Sequence, residues 1–130
     1  MKYQLAYHSL AGGRATNQDR VVCAERDNAV LMVLADGLGG HEGGALAAEI
    51  LTQTALRAFE AVRQPVITKP SAFLALTILQ AHKAISARGQ AQVPPITPRT
   101  TCVLCLVQNG YAYWAHVGDS RLYLLRDGRV

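Results

Sequence analysis

The chain has 130 residues, enough for one domain with a substantial core, since half of its residues are hydrophobic. Only 17% are charged, against about 25% in a typical globular domain, so more of the same protein or a partner is expected to cover part of this surface. The net charge of +4 comes from scattered Lys and Arg, with none between Arg26 and Arg57, so a mildly basic surface is expected and a nucleic-acid partner is not.

The opening "MKYQLAYHSLAGGRATNQDR" carries no signal-peptide apolar region. No apolar run approaches the roughly 18–20 residues of a membrane span. The expectation is a cytoplasmic protein with no membrane contact and reduced cysteines. Alternation in "YQLAYHS" predicts a first strand over 3–9. The polar loop "LAGGRATNQDR" leads to a short strand "RVVCAE", the turn "ERDN", and the continuous apolar run "AVLMVLAD", which reads as a buried strand.

From about Glu42 to Val62 the period becomes helical, with Leu46, Ile50, Leu51, Ala55, Phe59 and Val62 on one face. "RQPVITKP" breaks it, and a second helix is predicted over 71–88, capped by Ser71, closed by Gly89, with Leu74, Ile78, Ala81 and Ile85 inward. "GQAQVPPITP" is a loop. The strands "RTTCVLCLV" and "YAYWAHVGD" are joined through Asn109-Gly110, a strong hairpin signal. "SRLYLLRDG" reads as a further strand, with Asp127-Gly128 starting another turn. These strands are apolar on both faces, so a sheet covered on both sides is expected. The order gives an α+β fold, helices packed on an antiparallel sheet.

Cys102 and Cys105 have the C-x-x-C spacing of zinc and redox sites. In a strand, residues three apart point to opposite faces, so core packing is the preferred reading.

The loop "ADGLGGHEGG" places five glycines in the eight positions 37–44, directly after Asp36. Three readings compete. A dinucleotide turn would need G-x-G-x-x-G spacing, which is absent, and would set Asp36 against a pyrophosphate. A structural turn would use Asp36 as a cap. A hard-cation site would use the Asp36 carboxylate and the Gly37 carbonyl on Mg²⁺ or Mn²⁺. Two further stretches favour the third. In "HVGDSR" another apolar strand ends at Gly118 and Asp119 follows, and "GGRATNQD" sets Arg14 on a loop before Asp19. One cation suited to phosphate and three carboxylates at strand ends compose a metal-and-phosphate constellation.

With "GGRATNQDR", "ADGLGGHEGG" and "AHVGDSRLYLLRDG" in this order, the sequence resembles the N-terminal half of the metal-dependent protein phosphatases of the PP2C (PPM) family, bacterial type. The resemblance implies a β-sandwich of antiparallel sheets flanked by antiparallel helices. It also implies hydrolysis of phosphoserine and phosphothreonine in proteins by a metal-activated water, with no cysteine nucleophile. Position by position, it implies that Asp36 bridges two catalytic Mn²⁺ or Mg²⁺ ions and that Gly37 gives its carbonyl to one. Arg14 would bind the substrate phosphate, Asp19 would hold metal-bound water, and Asp119 would serve an additional ion.

The sequence departs from the family at three points. Gln18 stands where many members carry Glu, and Leu38 where some carry a histidine; His41 lies farther along the loop. Family domains also run about twice this length, the second half bringing two more aspartates; Asp27 and Asp127 read as turn residues, not substitutes. An incomplete domain is therefore expected, weak or silent by itself and prone to self-association through exposed apolar surface. A catalytically silent module that binds a phosphoprotein or partner is the alternative. A nucleotide-binding fold is a third.

Overall fold

The turn at Asp27-Asn28 folds the chain back on itself, pairing Arg26 with Ala29 and running the register out to Asp19 opposite Asp36. This hairpin, β1 (Asp19–Arg26) and β2 (Ala29–Asp36), opens the fold in a computed structural model that describes residues 1–38 and 43–130. Two helices follow, α1 (Gly44–Ala61) and α2 (Pro70–Gln90), then β3 (Cys102–Gln108) and β4 (Tyr111–Val117). The four strands form one antiparallel sheet in the order β1-β2-β3-β4. The α+β expectation holds, as does the turn at Asn109-Gly110. Both of its residues sit at positive φ (50° and 80°), the geometry that suits a two-residue hairpin.

Helices cover one face of the sheet. Ala29, Leu31, Val33 and Ala35 of β2 alternate inward and meet Cys102, Leu104 and Leu106 of β3. From α1 come Ala48, Leu51, Ala55 and Phe59, and from α2 Leu74 and Ala81. Leu31, Leu104, Leu106 and Phe59 are almost fully enclosed, and burying each such side chain contributes about 1.5–3 kcal/mol. The inward stripe of α1 is turned slightly from the predicted one: Ala47 and Ala48 are buried, while Leu46 and Ile50 are only half-buried. Small residues there let the helix approach the sheet closely.

The second face corrects the sequence reading. It was expected to be covered, but it borders an open groove of about 1000 Å³ lined by Cys23, Met32, Leu34, Val103, Cys105 and Trp114, among others. Residues 3–9, predicted as a strand, form no ladder. They are tied to the hairpin and its leading loop by Tyr3 Oη donating to Glu25 and by Asn17 Nδ2 donating to Ser9 Oγ. Residues 120–128 form no strand either, apart from the Arg126–Arg129 bridge that closes the predicted Asp127-Gly128 turn. Alternation makes a segment able to be a strand, but a ladder also needs a neighbouring edge.

Two helix boundaries differ from expectation. Lys69, not Ser71, precedes the first turn of α2, because Pro70 takes the N1 position, where its missing N–H costs nothing. Gly89 lies within α2, which runs on to Gln90. A Cβ there would come within 2.4 Å of the Ile96 carbonyl oxygen, so glycine serves a close approach of the following loop.

Candidate metal and phosphate site

The predicted residues collect at one end of the sheet. Asp19 begins β1 and Asp36 ends β2, and the antiparallel register sets them directly opposite. Directly opposed carboxylates repel. The Asp36 carboxyl is accordingly raised above its ordinary range, first by burial, then by hydrogen bonding to Asp19, then by the charges of Asp19 and Asp119. Arg14 acts the other way and lowers it. All four predicted ionic side chains therefore share one electrostatic neighbourhood.

Gly37 is pinned. Its N–H donates to the Gln18 carbonyl at 3.2 Å, and a Cβ would fall 2.4 Å from the Gly44 carbonyl oxygen and 2.8 Å from that of Gln18. Only glycine passes between these two backbones. Thr101 N–H donates to the Asp36 carbonyl and Leu38 N–H to that of Arg99, both at 2.9 Å. Among the described residues, no backbone N–H is bonded to the Gly37 carbonyl itself.

Gln18 packs under this turn. Its Oε1 is buried without a hydrogen-bond partner among the described residues and lies 2.5 Å from where a Gly44 Cβ would be. A buried acceptor of this kind calls for a donor such as water. Beside it, a cavity of about 230 Å³ is lined by His8, Ser9, Asp19, Arg20, Asp36 and Ser120, among others. His8, Thr101 and Ser120 are site residues that the sequence reading missed. Ser120 follows Asp119 directly, and the Thr100-Thr101 pair precedes a buried strand; hydroxyls so placed were the available signal. His41 lies outside the described residues.

The donors at this strand end suit a hard cation in kind: carboxylates and backbone carbonyl. They do not suffice in number. Among the described residues, no group of three His, Cys, Asp or Glu side chains stands close enough to hold a metal ion. The cysteines take no part. Cys102 lies in the helix-side core and Cys105 on the groove, opposite faces as predicted. Burial raises all three thiols, Cys102 to about 11, which keeps them un-ionised and poor nucleophiles.

The family model of protein phosphatase 2C matches residues 9–130. The chain belongs to the protein phosphatase 2C family. It is 30% identical over 116 residues to a putative protein phosphatase 2C-type of Streptococcus pyogenes, covering 88% of this chain and 47% of that protein. The serine/threonine phosphatase PstP/Ppp of Mycobacterium tuberculosis superposes with a TM-score of 0.74 at 30% identity, over 92% of this chain and 47% of that one. A second PstP structure, of the catalytic domain in complex with two manganese ions, gives 0.76 at 30% identity, over 88% of this chain and 47% of that one. The PP2C fold expected from the motifs is thus present in part. The chain spans about half the length of the S. pyogenes relative and of these solved chains.

Proposed function

We propose that residues 1–130 are the N-terminal portion of a single PP2C-type phosphatase domain, whose complete form hydrolyses phosphoserine and phosphothreonine in proteins. One observation carries this reading: the register of β1 and β2 sets Asp19 directly opposite Asp36, and Thr101 ties that strand end to Ser120, the neighbour of Asp119. The two manganese ions of a structurally similar PstP support two Mn²⁺ or Mg²⁺ ions as the cofactor; the assignment of Asp119 to an additional ion rests on the family resemblance alone.

Asp36 and the carbonyl of Gly37 are the groups that would hold metal here. The repulsion between paired acids is relieved by a cation, and the unpartnered Gln18 Oε1 is placed to accept from an ordered water. Bound divalent ions would supply a lowered water pKa and charge neutralisation at the phosphoryl oxygens. The rest falls to the chain's own side chains. The Arg14 guanidinium orients the substrate phosphate by charge-assisted hydrogen bonds. The Asp19 carboxylate accepts a hydrogen bond from the reacting water and holds it in line. The remaining ligands are expected from outside the described residues, since no three acidic side chains converge among those.

The reading extends to a cytoplasmic signalling role on phosphorylated proteins. No helix among the described residues is long and apolar enough to cross a membrane, and all three thiols are free. The open groove on the sheet supports self-association of the isolated chain through apolar surface.

The test is Mn²⁺-dependent release of p-nitrophenol from p-nitrophenyl phosphate by a complete domain that includes these residues. Activity is expected to need the metal and to vanish in Asp36→Asn. Hydrolysis that survives this substitution would remove Asp36 from the centre of the site.

A further inference from the structure

Asp36 ends β2 and Asp119 lies just beyond β4, and one residue touches Asp36 itself and both neighbours of Asp119. Thr101 is buried. Its N–H donates to the Asp36 carbonyl at 2.9 Å, and its Oγ1 accepts from the Asp36 N–H at 3.0 Å. The same Oγ1 lies 2.6 Å from Ser120 Oγ. Its methyl fills the space left by Gly118, where a Cβ would come within 2.9 Å of Thr101 Cγ2. Asp119 is thus flanked by two residues that both rest on Thr101, the methyl against Gly118 and the hydroxyl against Ser120.

We propose that Thr101 is a positioning residue that fixes the Asp119 loop to the Asp36 strand end through a directed pair of hydroxyls. The direction follows from the donors. Thr101 Oγ1 accepts from the Asp36 amide, and among the described residues its own proton finds no acceptor other than Ser120 Oγ. Ser120 then keeps its hydroxyl hydrogen for the cavity it lines together with Asp19 and Asp36. Ser120 would donate there to an oxygen of water or phosphate. A valine at 101 would keep the methyl and lose the relay; a serine would keep the relay and lose the methyl. The inference rests on the proposed function only for its metal-binding arm.

The test uses the ¹⁵N-labelled 130-residue chain. In Thr101→Val, hydrogen exchange of the Asp36 amide is expected to rise about ten-fold relative to global opening, as loss of one hydrogen bond requires. The Gly118–Ser120 signals should shift as well. Thr101→Ser should restore the wild-type exchange rate. Ser120→Ala, at a partly exposed position, should leave the Asp36 amide protected while moving the Gly118 and Asp119 signals; it decides the matter if Thr101→Val does not fold. A wild-type Gly118 signal in Ser120→Ala, or wild-type Asp36 exchange in Thr101→Val, would overturn the proposal. Titrated with Mn²⁺, the wild type should show Asp36 and Asp119 amides broadening together, and Thr101→Val should separate the two. If Mn²⁺ broadens neither amide in the wild type, the metal reading fails, while the exchange data still decide the role of Thr101.

Discussion

The two ends of this one sheet are finished in opposite ways. At the end where β1 turns into β2, backbone carbonyls meet a matching cation. Arg26 donates from Nη1 to the carbonyls of Val62 at 2.9 Å and Gln64 at 3.0 Å, from Nη2 to that of Phe59, and its guanidinium lies 4.4 Å over the Phe59 ring. The last turn of α1 contains no basic residue of its own, so Arg26 supplies from outside the positive charge a helix C-terminus favours. Nearby, the buried Gln108 amide pairs with both the N–H and the carbonyl of Ile67, at 2.9 and 2.8 Å. At the opposite end, Asp19 stands directly opposite Asp36, the charge of Asp119 adds to theirs, and Arg14 acts against them. One end is arranged for stability. The other holds like charges whose repulsion a bound cation would relieve, as functional sites commonly do.

Breaking the satisfied end should have the largest effect. Arg26→Ala removes three hydrogen bonds and a cation–π contact, and an expected loss of about 3 kcal/mol would be read by urea denaturation. Gln108→Leu keeps the volume but strands the Ile67 N–H and carbonyl, for a loss of about 2 kcal/mol by the same method. A smaller effect of opposite sign belongs to the acid end. The Asp36 carboxyl is raised in the fold, so the native state binds that proton more tightly than the unfolded chain does. The stability this contributes is complete below the unfolded value, near 3.9, and is lost as pH rises through the folded one. Asp36→Asn should therefore melt higher than wild type at pH 7 without metal, and the gap should close as the pH falls toward 4. A lower melting temperature at pH 7 would erase the contrast between the ends.

Much of this was legible in the chain. The strands over 20–25 and 29–36, both helices and the Asn109-Gly110 hairpin follow from local pattern and turn chemistry, because those elements are stabilised by neighbours close in sequence or by a single apolar face. Asp36, Gly37 and Asp119 could be singled out because each lies at, or within two residues of, the end of an apolar strand. The failures have one physical origin. Residues 3–9 and 120–128 alternate like strands, yet pairing depends on an edge that local sequence does not encode. For the same reason, the apolar face bearing Met32, Cys105 and Trp114 was read as covered when it borders an open groove. Thr101 and Ser120 escaped notice because a hydroxyl carries no charge pattern; only the fold brings together residues 19 positions apart.

The most direct test of the central claim, that the acid end is a divalent-metal site centred on Asp36, is a thermal melt of the 130-residue chain at pH 7 across a Mn²⁺ titration. A ligand that binds only the folded state raises the melting temperature with its concentration. The melting temperature of the wild type should rise with Mn²⁺, and that of Asp36→Asn should not. An equal rise in both proteins, or none in the wild type, would contradict that claim.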